Sequence, residues 1–161
     1  MTEALKSRLP DPLPLLPDVG SLGAAMSRLI DNGAVPQPTI GLVQLRAGQI
    51  VASSYHTVRQ AALMRAAGES AERIDSLPSW RDSPYFTAAE RAALALVEAV
   101  LTANPAGERV SDELFAQAAA HYDDKALWTL TAAIGQILFF VPVALIAKPI
   151  PGRPIGQNYD K

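Results

Sequence analysis

The segment from Ala126 to Ala147 constrains the fold most, because these 22 residues contain no Asp, Glu, Lys or Arg. A helix needs about 20 apolar residues to cross a bilayer, so the length alone permits a membrane span. Thr129, Gln136 and Pro142 interrupt the run, however, and no other segment of the chain offers a partner span. We therefore predict a buried central helix or an oligomer contact, kinked at Pro142, and no membrane partner.

The rest of the chain also carries helix signals. Thr87 and Glu90 match a capping box, in which the hydroxyl and the carboxylate bind free backbone N–H groups at a helix start. Ser21 and Ser111 are placed to cap two more helices, the first of them running from Leu22 to Asp31. No alternation of apolar and polar residues between turn signals indicates a strand. The sequence therefore predicts an all-α, single-domain bundle of about six to seven helices.

Composition indicates how this single domain is organised. A chain of 161 residues that is 49% hydrophobic and 19% charged can bury one core. Four of its thirteen prolines lie between residues 8 and 20, so we predict an extended arm over 1–20, a helical domain over 21–152 and a tail over 153–161. The net charge of -2, with Lys and Arg scattered, argues against a nucleic-acid partner. The start of the chain lacks the apolar stretch of a signal peptide, so we predict a cytoplasmic location.

Four motifs together carry a family resemblance. They are Leu42–Ile50, Arg65–Glu69, Trp80–Phe86 and Glu90–Leu96. In order and spacing they resemble the alkylhydroperoxidase-D and carboxymuconolactone decarboxylase family over roughly residues 40–152. The resemblance implies a helical fold and self-association as a homo-oligomer, either a dimer, a trimer or a hexamer.

The same resemblance shows where this chain departs from the family pattern. The family has a Cys-x-x-Cys pair, and its two cysteine positions are occupied here by Ser53 and His56. The family His is replaced here by Gln60, and the family Glu by Gly41. Neither a hydroxyl nor an imidazole can form a disulfide, and the chain contains no cysteine, so the thiol peroxidase reaction is closed to it. A polar family run in the last helix corresponds here to the apolar residues 138–142. We interpret these changes as a degenerate active site.

Three of the substituted positions form a candidate catalytic group. Ser53, His56 and Gln60 are spaced i, i+3 and i+7, which places them on one helical face. A histidine near a helix start is favoured in its neutral form, so we predict His56 as a base, with Ser53 and Gln60 orienting the ring or a substrate oxygen. Alternatively, Ser53 is only an N-cap and His56 only a packed histidine. Four aromatic residues are predicted to line a substrate pocket, although each also fits an ordinary core position: Tyr55, Trp80, Phe139 and Phe140.

Two classes of function follow. The first is a cofactor-independent acid–base enzyme, such as a decarboxylase, isomerase or lyase, that acts on a small apolar molecule. The second is a non-catalytic relative that keeps the fold for small-molecule binding or assembly. The two histidines, His56 and His121, are distant in sequence and lack a carboxylate cluster, so no metal site is predicted. His121 is expected only to complement a helix end. Glu98 follows the buried Val97 and either faces the pocket or lies at an exposed helix surface, and we expect the exposed surface.

Overall fold

The computed structural model describes residues 4–160, and within that range every regular element is helical. The helices are α1 (Asp18–Ile30), α2 (Gln37–Ile50), α3 (Ser54–Ala66), α4 (Ala71–Asp75), α5 (Ala88–Leu101), α6 (Asp112–Ala119) and α7 (Asp124–Ile146), with a single 3₁₀ turn at Leu77–Ser79. The predicted all-α class is confirmed, and the number of α-helices in this range is seven.

The helix starts follow the capping chemistry of the sequence. The Thr87 hydroxyl accepts from the Glu90 N–H, and the Glu90 carboxylate accepts from the Thr87 N–H, which completes the predicted capping box of α5. Ser111 caps α6, as predicted, by accepting from the Leu114 N–H. Ser21 does not cap α1, because that helix begins three residues earlier at Asp18. Proline is tolerated at the very start of a helix, so Pro17 does not delay α1.

Helix α2 lies at the centre of the bundle, and most of its residues are buried. It packs against α3, α5 and α7. The core around it is built mainly from aliphatic side chains of α2, α5 and α7, including the fully enclosed Leu42, Leu45, Leu94 and Leu130. Polar side chains on the inner faces of α2 and α3 therefore lie beside this aliphatic core.

The two ends of the chain lie together. The backbone N–H groups of Arg8 and Leu9 donate to the Ala147 carbonyl at the end of α7. The Ser7 N–H donates to the Asp160 carboxylate at 2.8 Å. The Asn158 amide, in turn, donates to the Tyr55 hydroxyl at 2.9 Å. The C-terminal segment is thereby held against the first turn of α3.

Candidate functional site

A tight turn between α2 and α3 places Ser53. Ala52 has a φ of 54°, in the left-handed region that residues with a Cβ seldom adopt. The Ser53 N–H donates to the Gly48 carbonyl at 3.0 Å, which returns the chain onto the end of α2. Such backbone strain persists only where the surrounding structure holds it, and it concentrates at functional sites.

The side chains of Ser53 and His56 form a buried pair. Ser53 Oγ lies 2.8 Å from His56 Nδ1, and the two residues are only 1% and 6% exposed. Ser53 precedes α3, yet its side chain makes no capping hydrogen bond. Ser53 thus occupies the N-cap position of α3, but its hydroxyl is bound to the imidazole and not to a backbone N–H group.

His56 is held in the neutral form. Burial lowers the pKa of His56 below its ordinary value of 6.5, and the positive charge of Arg59 lowers this pKa further. Burial is the larger of the two causes, because a charged imidazolium loses its hydration inside the bundle. In one neutral tautomer Ser53 donates to Nδ1 and Nε2 carries the proton, and in the other Nδ1 donates to Ser53 and Nε2 is the free base.

A close approach of α2 and α3 fixes the position of the ring. A Cβ on Gly48 would lie 3.0 Å from His56 Cβ and 3.3 Å from the Thr57 nitrogen. The hydrogen of Gly48 thus lets the two helices approach at the level of His56. Seven residues earlier, a Cβ on Gly41 would lie 3.1 Å from Met64 Cγ. These two contacts define an antiparallel register for α2 and α3.

This register adds Gln44, which sequence reasoning missed. Gln44 lies one turn before Gly48, and Gln60 lies one turn after His56, so the two glutamines lie at the same level of the α2–α3 contact. Each is only 8% exposed. Gln44 Nε2 donates to Gln136 Oε1 on α7 at 2.8 Å. The available sequence signal is a single amide within the apolar run Ile40–Leu45.

The aromatic candidates do not gather at one place. The Tyr55 and His56 rings are 5.5 Å apart in an edge-to-face arrangement, so Tyr55 lies beside the pair. The Trp80 ring nitrogen instead donates to Glu98 at 2.9 Å. Phe139 and Phe140 are in edge-to-face contact with each other, and Phe139 is 43% exposed on the surface of α7. Of the four, only Tyr55 contacts His56 through its ring.

Two surface clefts lie apart from His56. The first, of about 320 Å³, is lined by residues that include Arg46, Trp80, Arg81 and Glu98. The second, of about 440 Å³, is lined by residues that include Glu90, His121 and Tyr122, and burial raises the pKa of Tyr122 to about 12. Neither lining includes Ser53, His56 or Gln60. The Ser53–His56 pair is therefore enclosed by the bundle instead of lying open in either cleft.

The expected exposure of Glu98 is wrong. Its carboxylate accepts from Trp80 Nε1 and from Arg46 Nε at 2.9 Å each, and it is also paired with Arg81. Burial alone would raise the pKa of Glu98, but the hydrogen bonds from Trp80, Arg81 and Arg46 outweigh burial and lower it. Glu98 thus joins α5 to α2 and to the loop after the 3₁₀ turn.

Comparisons with known proteins agree with the motifs. The model of the carboxymuconolactone decarboxylase family matches residues 19–99. The uncharacterized protein YdfG of Bacillus subtilis (strain 168) is 29% identical over 112 residues, which cover 70% of this chain and 75% of YdfG. The uncharacterized protein YnjA of Escherichia coli (strain K12) is 41% identical over 66 residues, which cover 41% of this chain and 35% of YnjA.

Solved structures share the fold. A crystal structure of a protein of unknown function from Agrobacterium tumefaciens, assigned provisionally to antioxidant defence as AhpD, aligns with a TM-score of 0.80 at 26% identity. That alignment covers 92% of this chain and 100% of the other. The debrominase Bmp8 aligns with a TM-score of 0.74 at 18% identity over 84% of this chain and 72% of its own. A variant of Bmp8 in which alanine replaces one cysteine, in complex with 2,3,4-tribromopyrrole, gives the same TM-score at 19% identity and the same coverage.

Proposed function

Because this chain belongs to the carboxymuconolactone decarboxylase family, we propose that it is a cofactor-independent acid–base enzyme in which His56 removes a proton from a small, largely apolar substrate. The observation that carries the proposal is the 2.8 Å contact between Ser53 Oγ and His56 Nδ1 inside the bundle. By the resemblance of its motifs, the chain has a hydroxyl and an imidazole where the family pattern has two cysteines. A base has thus replaced a redox pair.

The enclosure of His56 suits a general base. Because burial lowers its pKa, the ring is neutral at pH 7 and ready to accept a proton. A bond between Ser53 and Nδ1 fixes the ring plane and leaves Nε2 to the substrate. The α2 backbone at Gly48 passes close to His56, since a Cβ added there would lie 3.0 Å from the His56 Cβ.

The chemistry that fits these groups is proton removal from carbon beside a carbonyl. Nε2 of His56 takes the proton, and the electron pair of the broken C–H bond moves onto the carbonyl oxygen as an enolate. The amide N–H of Gln60, one turn along the same face of α3, would donate to that oxygen. In a substrate that has a C=C bond conjugated with the enolate, the imidazolium then protonates the far carbon of that bond, the electron pair returns from the oxygen to re-form the carbonyl, the C=C bond shifts along the chain, and His56 is neutral again.

The apolar surroundings of the pair favour a small, largely apolar substrate. The core around α2 is aliphatic, and the edge of the Tyr55 ring lies beside His56. In the Bmp8 variant complex, a protein with this fold holds a small halogenated ring, 2,3,4-tribromopyrrole. We extend only the size and apolar character of that ligand to the proposed substrate.

The alternative is a family member without catalysis that binds small molecules or assembles. One observation favours it: His56 is 6% exposed and lines neither of the two surface clefts. Another opposes it, because the ring nitrogen is bound to a neighbouring hydroxyl and not to a backbone carbonyl.

Deuterium exchange distinguishes the two functions. Small lactones and β-keto acids are incubated with the purified protein in D₂O, and loss of the proton signal beside the carbonyl is followed by NMR. We expect exchange that His56→Gln slows by about 10²–10⁴-fold, the usual contribution of a general base. Ser53→Ala keeps the base but loses its orientation, so a decrease of about tenfold is expected from the loss of one neutral hydrogen bond.

His121→Gln is the matched control, because His121 is the other histidine and lies at the second cleft. It is expected to exchange protons at the wild-type rate. Equal rates for wild type and His56→Gln would refute the proposal. Rates for wild type no faster than buffer, across the whole panel, would establish the non-catalytic alternative for these compounds.

A further inference from the structure

The second cleft, of about 440 Å³, lies where three helices begin. Its lining includes residues at the starts of α2, α5 and α7, namely Pro36, Pro38, Thr39, Thr87, Ala89, Glu90, Asp123 and Ala126. The first turn of a helix presents N–H groups that have no acceptor inside the helix, and it carries roughly half a positive charge. The second cleft therefore gathers the positive ends of three helices.

Two of these three helix starts are already matched by carboxylates. Glu90 completes the capping box of α5 and is itself paired with Arg73 at 2.6 Å. Asp123 caps α7 by accepting from the Ala126 N–H at 2.8 Å. Helix α2 differs, because Pro36 provides no side-chain cap and the first turn contains no acidic residue. Within the described part of the chain, the start of α2 is thus the one that lacks a negative partner.

Thr39, in the first turn of α2, is a buried polar residue that lines this cleft and is only 5% exposed. Thr129 and Thr131 of α7 each donate their hydroxyl to the carbonyl four residues earlier at 2.8 Å, whereas the Thr39 hydroxyl makes no hydrogen bond within residues 4–160. Every fully buried side-chain oxygen or nitrogen in that range has a partner, so the Thr39 hydroxyl must open to the cleft. A hydroxyl so enclosed needs a hydrogen-bond partner, and here the partner comes from outside the chain.

We propose that the second cleft binds a small monocarboxylate with a short apolar body. The carboxylate accepts from the N–H and from the hydroxyl of Thr39, and its negative charge lies at the start of α2. The apolar body packs against small apolar side chains of the lining, which are Ala34, Pro36, Ala89 and Ala126. The volume of about 440 Å³ falls in the range of roughly 300–1,000 Å³ that small-molecule sites occupy.

The other titratable side chains of the lining set the charge of the ligand. A cation would face the positive helix starts, and a dianion such as phosphate would be repelled by the carboxylates of Glu90 and Asp123. Tyr122 adds no charge, because burial raises its pKa to about 12 and its hydroxyl donates to the Ala89 carbonyl at 2.7 Å. His121 is exposed at the rim and takes no part in the proposed contacts. A single negative charge is therefore the best match.

The second cleft is remote from the Ser53–His56 pair. Thr39 lies in the first turn of α2, whereas Gly48, which passes close to His56, lies in the last turn. The two positions are roughly 14 Å apart along the helix axis at 1.5 Å per residue. Binding at Thr39 can therefore be measured separately from any reaction at His56, and neither proposal depends on the other.

Amide NMR spectra recorded during titration with sodium isobutyrate test the site, with sodium chloride of equal ionic strength as the reference. Saturable shifts are expected for the amides of Thr39 and Ala89, and none for Gly48. Isobutyramide, the uncharged analogue of the same shape, and inorganic phosphate are each expected to bind at least about tenfold more weakly. A lack of saturable shifts at Thr39, or an affinity for isobutyramide or phosphate equal to that for isobutyrate, would overturn the proposal.

Variants of the lining test the contacts. Thr39→Val replaces the hydroxyl with a methyl group and is expected to weaken isobutyrate binding about tenfold or more, because a hydrogen bond to a charged group is lost. Thr39→Ser keeps the hydroxyl and is expected to bind within about threefold of wild type. Ala89→Leu fills the cleft from α5 and is expected to abolish binding with an unchanged circular dichroism spectrum.

Thr131→Val is the matched control, because it removes a helical hydroxyl that lies outside the lining. It is expected to bind isobutyrate with wild-type affinity. Wild-type affinity in Thr39→Val or in Ala89→Leu, or a loss in Thr39→Ser as large as that in Thr39→Val, would show that the Thr39 hydroxyl does not hold the carboxylate.

Discussion

The close approach of α2 and α3 predicts different outcomes for two chemically identical substitutions. Gly48→Ala places a methyl group 3.0 Å from His56 Cβ, 3.3 Å from the Thr57 nitrogen and 3.4 Å from the His56 carbonyl carbon. Gly41→Ala places the same group 3.1 Å from Met64 Cγ and 3.4 Å from its sulfur. Backbone atoms of a packed helix cannot move aside cheaply, whereas a methionine side chain has three rotatable bonds.

The different neighbours of Gly48 and Gly41 lead to different free energies of unfolding for the two alanine variants. Both substitutions gain up to about 1 kcal/mol of helix propensity, because alanine replaces glycine within α2. Gly48→Ala also incurs the cost of overpacking, about 1–3 kcal/mol, and Gly41→Ala avoids most of it. We expect Gly48→Ala to be less stable than Gly41→Ala by about 1–2 kcal/mol, a difference in which the propensity gain largely cancels.

Urea denaturation followed by far-UV circular dichroism, at one protein concentration for both variants, measures this difference. Equal m-values would show that the denatured states are comparable. If Gly48→Ala were as stable as Gly41→Ala or more so, α2 and α3 would not approach closely enough at Gly48 to fix the position of His56.

Two further predictions concern α5. Glu98→Gln is expected to lower the free energy of unfolding by about 1–2 kcal/mol, because the partly buried carboxylate loses charge-assisted bonds to Arg46, Arg81 and Trp80. Because the pKa of Glu98 is lowered in the folded chain, the difference in free energy of unfolding should be full above the ordinary pKa of 4.5. It should disappear as the pH falls through the pKa of Glu98 in the folded chain. Denaturation of both proteins at several pH values measures this dependence, and a difference that does not change with pH would contradict it. Arg91→Lys is expected to lower the free energy of unfolding by about 2 kcal/mol in the same assay. The Arg91 guanidinium donates to four backbone carbonyls between residues 80 and 86, and the smaller ammonium group of lysine cannot reach all four. A decrease below about 0.5 kcal/mol would contradict this prediction.

Local signals in the sequence were enough to locate several helix ends. The capping box of Thr87 and Glu90 and the cap at Ser111 involve residues three positions apart, so no tertiary contact is needed to recognise them. The start of α1 was misplaced because Ser21 looks like a cap, while the turn before it contains Pro17 and Gly20, two residue types that disfavour a helix. Proline at a helix start gives no hydrogen-bond signal that distinguishes it from a loop.

Contacts between residues that lie far apart along the chain could not be predicted from the sequence alone. Glu98 was expected on the surface because its partners Arg46 and Trp80 lie 52 and 18 residues away, and only packing brings them together. Gln44 was not predicted as a site residue because its partner Gln136 lies on α7, 92 residues further along the chain. The pairing of Ser53 with His56 was foreseeable from the i, i+3 spacing, which places both side chains on one face.

The pH dependence of the exchange reaction tests the role of His56 most directly. We predict that kcat/KM falls as the pH drops through a single pKa below 6.5, and that this pKa equals the one obtained by NMR titration of the His56 ring in the same protein. The sign follows from the base: below that pKa the imidazole is protonated and cannot accept the substrate proton. A profile that stays flat across the titration of His56, or that breaks at a pKa the ring does not show, would contradict the assignment of His56 as the base.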